Sequence, residues 1–103
     1  MTQFDNVSVF KAANIYFDGR CVSHTLVFSS GAKKTLGVIL PSTLEFTTGE
    51  PERMECVQGS CRYRLKGETV WNSCPAGQSF SVPGNSSFEI SCDEPCHYVC
   101  HIG

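Results

Sequence analysis

Hydrophobic and polar residues alternate along most of the chain in short runs. In "SFEISC", Phe88, Ile90 and Cys92 fall on one face, and Glu89 and Ser91 fall on the other. A period of two is typical of a β-strand with one buried face. No window holds an apolar stripe at helical spacing that is long enough to predict a helix. The pattern therefore predicts strands and turns only.

Nine runs are rich in β-branched and aromatic residues. They are "RCVSHTLVF", "KKTLGVIL", "TLEFTT", "RMECVQ", "CRYRL", "TVWNSC", "QSFSVP", "SFEISC" and "CHYVCHI". Turn signals such as "SSGA", "QGS", "PAG" and "PGNSS" separate them. Short strands at this spacing indicate one all-β domain, either a barrel or a jelly roll. We expect the domain to span residues 15–103, with residues 1–14 forming an N-terminal arm or first strand.

Length and charge narrow the class of protein. The chain has 103 residues and a formal net charge of −2, which fits one domain with no basic face for nucleic acid. No apolar stretch approaches the ~20 residues of a membrane span, and the first residues lack the layout of a signal peptide. We expect a cytoplasmic protein that binds neither nucleic acid nor membrane.

The seven cysteines are an odd number, and without a secretion signal we expect them to be reduced. The tail "CDEPCHYVCHI" suggests metal ligands, but a strand would place Cys96 and Cys100 about 13 Å apart. Zinc ligands lie ~2.0–2.3 Å from the metal, so this pair alone cannot share one ion. We therefore predict no metal site.

Two segments resemble the two-part cupin pattern, "FTTGEPERMECVQG" and "GQSFSVPGNS". In metal cupins three histidines and one glutamate hold the ion. Here Glu52 stands at the glutamate position, while Phe46, Thr48 and Asn85 stand where histidines would be. One carboxylate does not replace several imidazoles as a transition-metal site. The chain resembles a cupin that has lost its metal.

The wider pattern resembles the small single-domain pyrimidine/purine nucleoside phosphorylases over residues 14–101. The matching pieces include "YFDG", Ser23, "LGVILP", "LEFTT", "ERME", "RLKG", Trp71, "AGQSFSVPGNSSF" and "YVC". The resemblance implies a cupin-type jelly-roll β-barrel that forms a homodimer and uses no cofactor. It also implies cleavage of purine and pyrimidine nucleosides by inorganic phosphate, giving free base and pentose 1-phosphate, with broad base choice.

From this resemblance we assign Glu52 as the catalytic residue, which binds ribose hydroxyls or offsets positive charge on the sugar. The expected substrate-binding residues are Phe46, Thr48, Phe80, Asn85 and Tyr98, with Lys33 or, second, His101 for phosphate. Aromatic walls suit broad base choice, because every base has a π-face.

Each assignment has a structural alternative. The rings of Phe46, Phe80 and Tyr98 also suit a hydrophobic core. Asn85 suits a left-handed turn position, and Glu52 suits a carboxylate that only accepts backbone hydrogen bonds. Two other functions stay open: a non-catalytic module that binds a small metabolite, and a metal-dependent cupin enzyme.

Overall fold

The structure, a computed structural model, describes residues 2–103. Within them lie eleven strands and one short 3₁₀ turn at Phe17–Gly19. The strands are β1 (Ser8–Val9), β2 (Asn14–Tyr16), β3 (Cys21–Val27), β4 (Lys33–Ile39), β5 (Ser42–Thr47), β6 (Glu52–Gln58), β7 (Ser60–Leu65), β8 (Asn72–Pro75), β9 (Ser79–Val82), β10 (Ser87–Cys92) and β11 (Cys96–Ile102). None of the described residues forms a helix of the length and apolarity that crossing a bilayer requires. The all-β prediction is confirmed.

The strands form two antiparallel sheets. The larger has the order β1-β3-β4-β11-β6-β9, with β2 also paired to β3, and the smaller has the order β5-β10-β7-β8. Among the described residues no strand pairing joins one sheet to the other, so the expectation of a closed barrel is wrong. Packing of side chains between the facing sheets holds the two layers together instead, as in a sandwich.

The N-terminal segment is part of the larger sheet. Strand β1 pairs with Leu26 and Val27 of β3, and β2 pairs with the opposite end of the same strand. The boundary expected between residues 14 and 15 falls inside β2. Residues 8–16 therefore extend the sheet along β3, although no apolar alternation in this part of the sequence indicates it.

The space between the sheets has two unlike ends. At one end lie five buried cysteines that we call the thiol end: Cys56, Cys61, Cys74, Cys92 and Cys96. The sulfur atoms of Cys56 and Cys96 are 3.6 Å apart, and all seven cysteines are free. Reduced thiols pack there as small hydrophobic side chains. The other end, which we call the open end, holds a cavity.

Candidate functional site

The open end contains a cavity of about 330 Å³ between the two sheets. Its lining residues are Tyr16, Phe17, Ser23, Thr35, Glu45, Phe46, Thr47, Glu52, Met54, Phe88, Tyr98, Cys100 and Ile102. The volume lies at the small end of the range for small-molecule sites. The lining divides into a partly polar floor from the larger sheet and an aromatic wall.

Strand register explains which side chains form the floor. Cys100 of β11 lies opposite Thr35 of β4 and Met54 of β6. Two residues further along, Ile102 lies opposite Glu52. Because side chains two apart on a strand share a face, both rows point toward the smaller sheet. Glu52 is thereby held at the edge of a row of apolar side chains.

Glu52 is the acidic group of this floor. The Cys100 thiol donates a hydrogen bond to Glu52 Oε1, with a sulfur–oxygen distance of 3.4 Å. Burial raises the pKa of the Glu52 carboxyl above its usual range, and the thiol hydrogen bond acts in the opposite direction. Burial and the neighbouring carboxylate raise the pKa of Cys100 to about 12. At neutral pH the thiol is therefore a hydrogen-bond donor.

A second polar group of the floor surrounds Ser23. The Asn14 amide donates to Ser23 Oγ at 3.3 Å and to Thr25 Oγ1 at 3.1 Å. The Tyr98 hydroxyl lies 3.3 Å from the Cys21 sulfur, and burial raises the pKa of this phenol. These hydroxyls are neutral groups that can donate or accept, which suits recognition of sugar hydroxyls.

The aromatic wall is centred on Phe46. Its ring stacks on Phe88 with centroids 5.6 Å apart and meets Phe17 edge-on at 5.3 Å and Tyr16 at 6.3 Å. Such offset and edge-to-face pairs are favourable ring geometries. Phe88 is buried, whereas 36% of Phe17 and 47% of Tyr16 remain exposed. The two exposed rings leave surface at the cavity mouth for a planar ligand.

A strained turn positions Phe17. Phe17, Asp18 and Gly19 have φ angles of 53°, 55° and 91°, all in the left-handed region. That conformation is an outlier for a bulky side chain such as phenylalanine. The Phe17 carbonyl accepts hydrogen bonds from the Arg20 backbone N–H at 3.2 Å and from its side-chain Nε at 3.0 Å. These bonds hold the turn in the conformation that brings the Phe17 ring onto Phe46.

Lys33 and His101, the two candidates for phosphate, line a second cavity of about 420 Å³. It shares Glu52 and Ile102 with the first cavity. Lys33 precedes Thr35 by two residues on β4, so it belongs to the inner face, two strand spacings or about 10 Å from Glu52.

His101 lies on the opposite face of β11. Its Nε2 is 2.8 Å from Glu55 Oε1, and its Nδ1 contacts the Lys34 ammonium group. The single-residue offset from Cys100 directs the ring away from the space between the sheets. The structure therefore brings Lys33, but not His101, onto the face that carries Glu52.

Three other expected residues lie outside the first cavity. Thr48 is buried and its hydroxyl donates to the Pro83 carbonyl at 2.7 Å and accepts from the Ser86 N–H at 3.0 Å, which ties two turns together. Asn85 is exposed with φ 51°, and its N–H donates to the Gly49 carbonyl. Phe80 is buried and stacks on Tyr63 at 3.8 Å. Phe80 and Asn85 have the structural roles considered as their alternatives, and Thr48 has a structural role for which no alternative was considered.

Phe46, Glu52 and Tyr98 are the expected residues that the structure brings together at the first cavity. Our assignment omitted several lining residues: Tyr16, Phe17, Ser23, Thr35, Phe88 and Cys100. The matched pieces were the available signal for five of them: "YFDG" contains Tyr16 and Phe17, Ser23 is itself a match, "AGQSFSVPGNSSF" ends at Phe88 and "YVC" ends at Cys100. Among the described residues, no three His, Cys, Asp or Glu side chains are grouped so that they could hold a metal ion.

Comparison with known proteins places the chain among its relatives. The family model described as "Pyrimidine/purine nucleoside phosphorylase" matches residues 11–102. The chain belongs to this family. A relative of that name from Dechloromonas aromatica is 69% identical over 103 residues, covering 100% of both chains. Another of the same name, from Methylococcus capsulatus, is 62% identical over 103 residues, again covering 100% of both chains. The resemblance predicted from the sequence is confirmed.

Solved structures match the fold of this nucleoside phosphorylase family member. A protein of unknown function from Acinetobacter sp. ADP1 superposes with a TM-score of 0.98 at 52% identity, covering 100% of both chains. A putative ethanolamine utilization protein Q from Salmonella typhimurium gives a TM-score of 0.69 at 14% identity, covering 93% of this chain and 95% of that one. At that identity the second match shows the fold alone.

Proposed function

We propose that the protein is a nucleoside phosphorylase, a pentosyltransferase that cleaves purine and pyrimidine nucleosides with inorganic phosphate. The glycosidic C–N bond breaks, an oxygen of hydrogen phosphate bonds to the anomeric carbon, and the base leaves with the bonding electrons and takes up the proton that the phosphate loses. The observation that carries this proposal is the cavity in which the Glu52 carboxylate and neutral hydroxyls face an aromatic wall. The names of the full-length relatives support it.

The reaction builds positive charge on the sugar ring as the base departs. In this proposal Glu52 lies beside the anomeric carbon and stabilises that charge. A carboxylate in a partly desolvated site interacts with a developing cation more strongly than it would in water. The raised pKa of Glu52 reports the same desolvation. Ser23, Thr35 and Tyr98 bind the pentose hydroxyls and hold the sugar in place.

The aromatic wall binds the base. Phe46, Phe17 and Tyr16 offer ring surface, and none of them reads a particular pattern of hydrogen-bond donors. Stacking is tolerant of base identity, because every base has a π-face. This arrangement supports the broad base choice that the resemblance implies.

Phosphate binds at the mouth, next to Lys33. Among the described residues lining the first cavity there is no Lys, Arg or His, so that space offers phosphate no cationic side chain. Lys33 lies on the Glu52 face in the adjoining cavity and provides the nearest inward ammonium group that the strand register identifies. A phosphate dianion there is balanced by Lys33 and kept off the Glu52 carboxylate.

The test is incubation with mixed nucleosides, with and without phosphate, followed by chromatography of the released bases. We expect base release that requires phosphate, and a loss of about 100-fold or more in Glu52→Gln. Glu89→Gln is the matched control, because Glu89 pairs with Arg64 on the outer face of the smaller sheet. Release without phosphate would mean a hydrolase, and no release would favour a binding module.

We also propose that the protein is a homodimer. The outer face of the larger sheet carries Leu36 and Val57, which are 44% and 49% exposed, on strands either side of Val99. Exposed apolar side chains grouped on a sheet face are typical of an interaction surface. Light scattering of the wild type and of the Leu36→Glu, Val57→Glu double variant checks this. A monomeric wild type would refute it.

A further inference from the structure

The substrate cavity is unusual in its charge. Two glutamates border it, Glu52 on the floor and Glu45 at the rim, and the described lining residues include no cationic side chain. Glu45 lies opposite Glu89 in the strand register, which places its side chain on the outer face of the smaller sheet. Glu45 is exposed and therefore well screened, whereas Glu52 is partly buried. A ligand in this cavity consequently experiences a negative potential that comes chiefly from Glu52.

The aromatic wall also favours a ligand that carries positive charge. The faces of phenylalanine and tyrosine rings carry negative charge from their π-electrons and attract a cation within about 6 Å of the ring centre. Phe46 of the smaller sheet lines the cavity together with Tyr16, at the end of β2, and Phe17, which follows it. A planar cation in this cavity gains binding free energy from both the rings and Glu52, while a neutral ring of the same shape gains only dispersion.

From this juxtaposition we infer that the cavity prefers nucleosides whose base carries a positive charge, such as pyridinium ribosides and N-alkylated purine ribosides. The inference rests on the proposed function and gives it a substrate class. Neutral nucleosides remain substrates in this scheme, with lower efficiency.

The chemistry of bond cleavage agrees with this preference. When a cationic base leaves, the electrons of the C–N bond neutralise its ring, so the departing base needs no proton. A neutral nucleoside releases an anionic base that must be protonated. The cavity is poor in proton donors, because the pKa of Cys100 is raised to about 12 and that of the Tyr98 phenol is raised as well. An ionised Glu52 accepts protons and does not donate them.

A carboxylate in the position proposed for Glu52 stabilises positive charge both before and during cleavage of the C–N bond. In a pyridinium riboside the charged ring nitrogen is bonded directly to the anomeric carbon. During cleavage the positive charge moves by one bond, from that nitrogen to the sugar ring. A carboxylate beside this bond is close to the charge before and after the shift, while phosphate supplies the new C–O bond.

The experiment compares equilibrium binding of two isosteric ligands without phosphate. Nicotinamide riboside is a permanent cation, and the corresponding benzamide C-riboside is neutral because carbon replaces the ring nitrogen. We expect the cation to bind about tenfold more tightly or better, which corresponds to the interaction of a cation with a desolvated aromatic face and one carboxylate. The ratio should fall toward one in Glu52→Gln and stay unchanged in Glu89→Gln.

The pH dependence gives a second readout. Since the pKa of Glu52 is raised, the ratio should increase as pH rises through that pKa and shrink below it. Equal binding of the two ligands at every pH would overturn the inference, as would a ratio that Glu52→Gln leaves unchanged.

Turnover with phosphate separates the two proposals. If neutral nucleosides are cleaved and nicotinamide riboside is no better a substrate, the inference fails and the phosphorylase stands. If the cation binds more tightly but no nucleoside is cleaved, the charge preference stands as that of a binding site, and the proposed reaction fails.

Discussion

The thiol end and the open end are built on the same strands but filled with different chemistry. Strand β6 begins with Glu52 at the open end and reaches Cys56 at the thiol end, and β11 runs from Cys96 to Ile102 in the reverse direction. At the thiol end small reduced side chains are packed together, whereas at the open end a carboxyl group is kept partly dehydrated. The contrast indicates that packing at the thiol end stabilises the fold. This stability allows the open end to keep a partly dehydrated carboxyl group, which folding alone would not favour.

The largest expected difference between the ends is in thiol chemistry. Burial raises the pKa of Cys56 to about 12 from 9.0, which lowers its thiolate fraction near neutral pH by roughly 1000-fold. We expect the cysteines of the thiol end to react with an aromatic disulfide reagent only when denaturant unfolds the chain. Stopped-flow absorbance in native and denaturing buffer measures the ratio of the rates.

Cys100 provides the matched test, since it is the one cysteine among the residues that line the first cavity. The pKa of Cys100 is also raised to about 12, so access and not ionisation separates it from Cys56. Because its thiol faces the cavity, it should be the first to react in the native protein, and a bound nucleoside should slow that reaction. In Cys100→Ala the first phase should disappear. A fast phase that survives in this variant would mean that the thiol end is open to solvent.

Truncating a side chain in the packed core near the thiol end should lower the free energy of unfolding more than truncating one at the open end. Ile39 is 0% exposed and lies between Cys21 and Cys96 in the sheet, so Ile39→Ala should lower the free energy of unfolding by about 2–5 kcal/mol. Phe17→Gly should change it by less than about 1 kcal/mol, because loss of ring contact is offset by relief of the left-handed strain. Urea denaturation measures both.

The same Phe17→Gly variant should bind nucleosides more weakly, with KM raised about tenfold through loss of part of the aromatic wall. Equal destabilisation by the two variants would show that the open end contributes to folding as much as the thiol end does.

The charge of Glu52 is expected to have a smaller effect on the stability of the fold. A carboxyl whose pKa is raised in the folded state stabilises the fold below its unfolded pKa, and this contribution is lost as pH rises through the folded pKa. Glu52→Gln should therefore be more stable than the wild type at neutral pH.

The difference between Glu52→Gln and the wild type should disappear below the unfolded pKa of the carboxyl, which is ordinarily 4.5. Thermal denaturation at a series of pH values checks this. A wild type that is the more stable protein at neutral pH would mean that Glu52 forms a stabilising interaction in the fold.

The smallest expected effect is that of the hydrogen bond between Cys100 and Glu52 on the pH dependence of the reaction rate. Because the thiol lowers the pKa of Glu52, Cys100→Ala should move the acid limb of the pH–rate profile to higher pH. Cys100→Ser keeps a donor and should restore the limb toward that of the wild type. A limb that moves to lower pH would contradict the role of the thiol.

Local patterns in the sequence predicted the strands, because alternation and turn residues are short-range signals. The assignment of Glu52 to the site came from the resemblance, since the strand-like run "RMECVQ" begins one residue after it. The packing of Phe80 on Tyr63 depends on which strands meet across the sheets, which alternation does not specify. The Thr48 hydroxyl forms hydrogen bonds with backbone atoms 35 and 38 residues away, and no local signal in the sequence indicates such bonds.

His101 illustrates the limit of residue-type reasoning. A cation was expected in the site, but an offset of one residue on β11 places its ring with Glu55 on the outer face. The contribution of Phe17 depends on a left-handed turn that is rare for its residue type, so propensity argues against it. The closed barrel was wrong because strand pairing between distant edges is a property of the whole chain.

The strained turn at Phe17–Gly19 has a practical consequence for protein engineering. It lies at the surface and contributes its ring to the wall without taking part in the buried thiol cluster. A library randomised at this turn and at the neighbouring positions of β5 would alter the shape of the aromatic wall, to which we propose the base binds, while leaving β6 and β11 intact. New base selectivities can therefore be sought there by screening, with little risk to the scaffold.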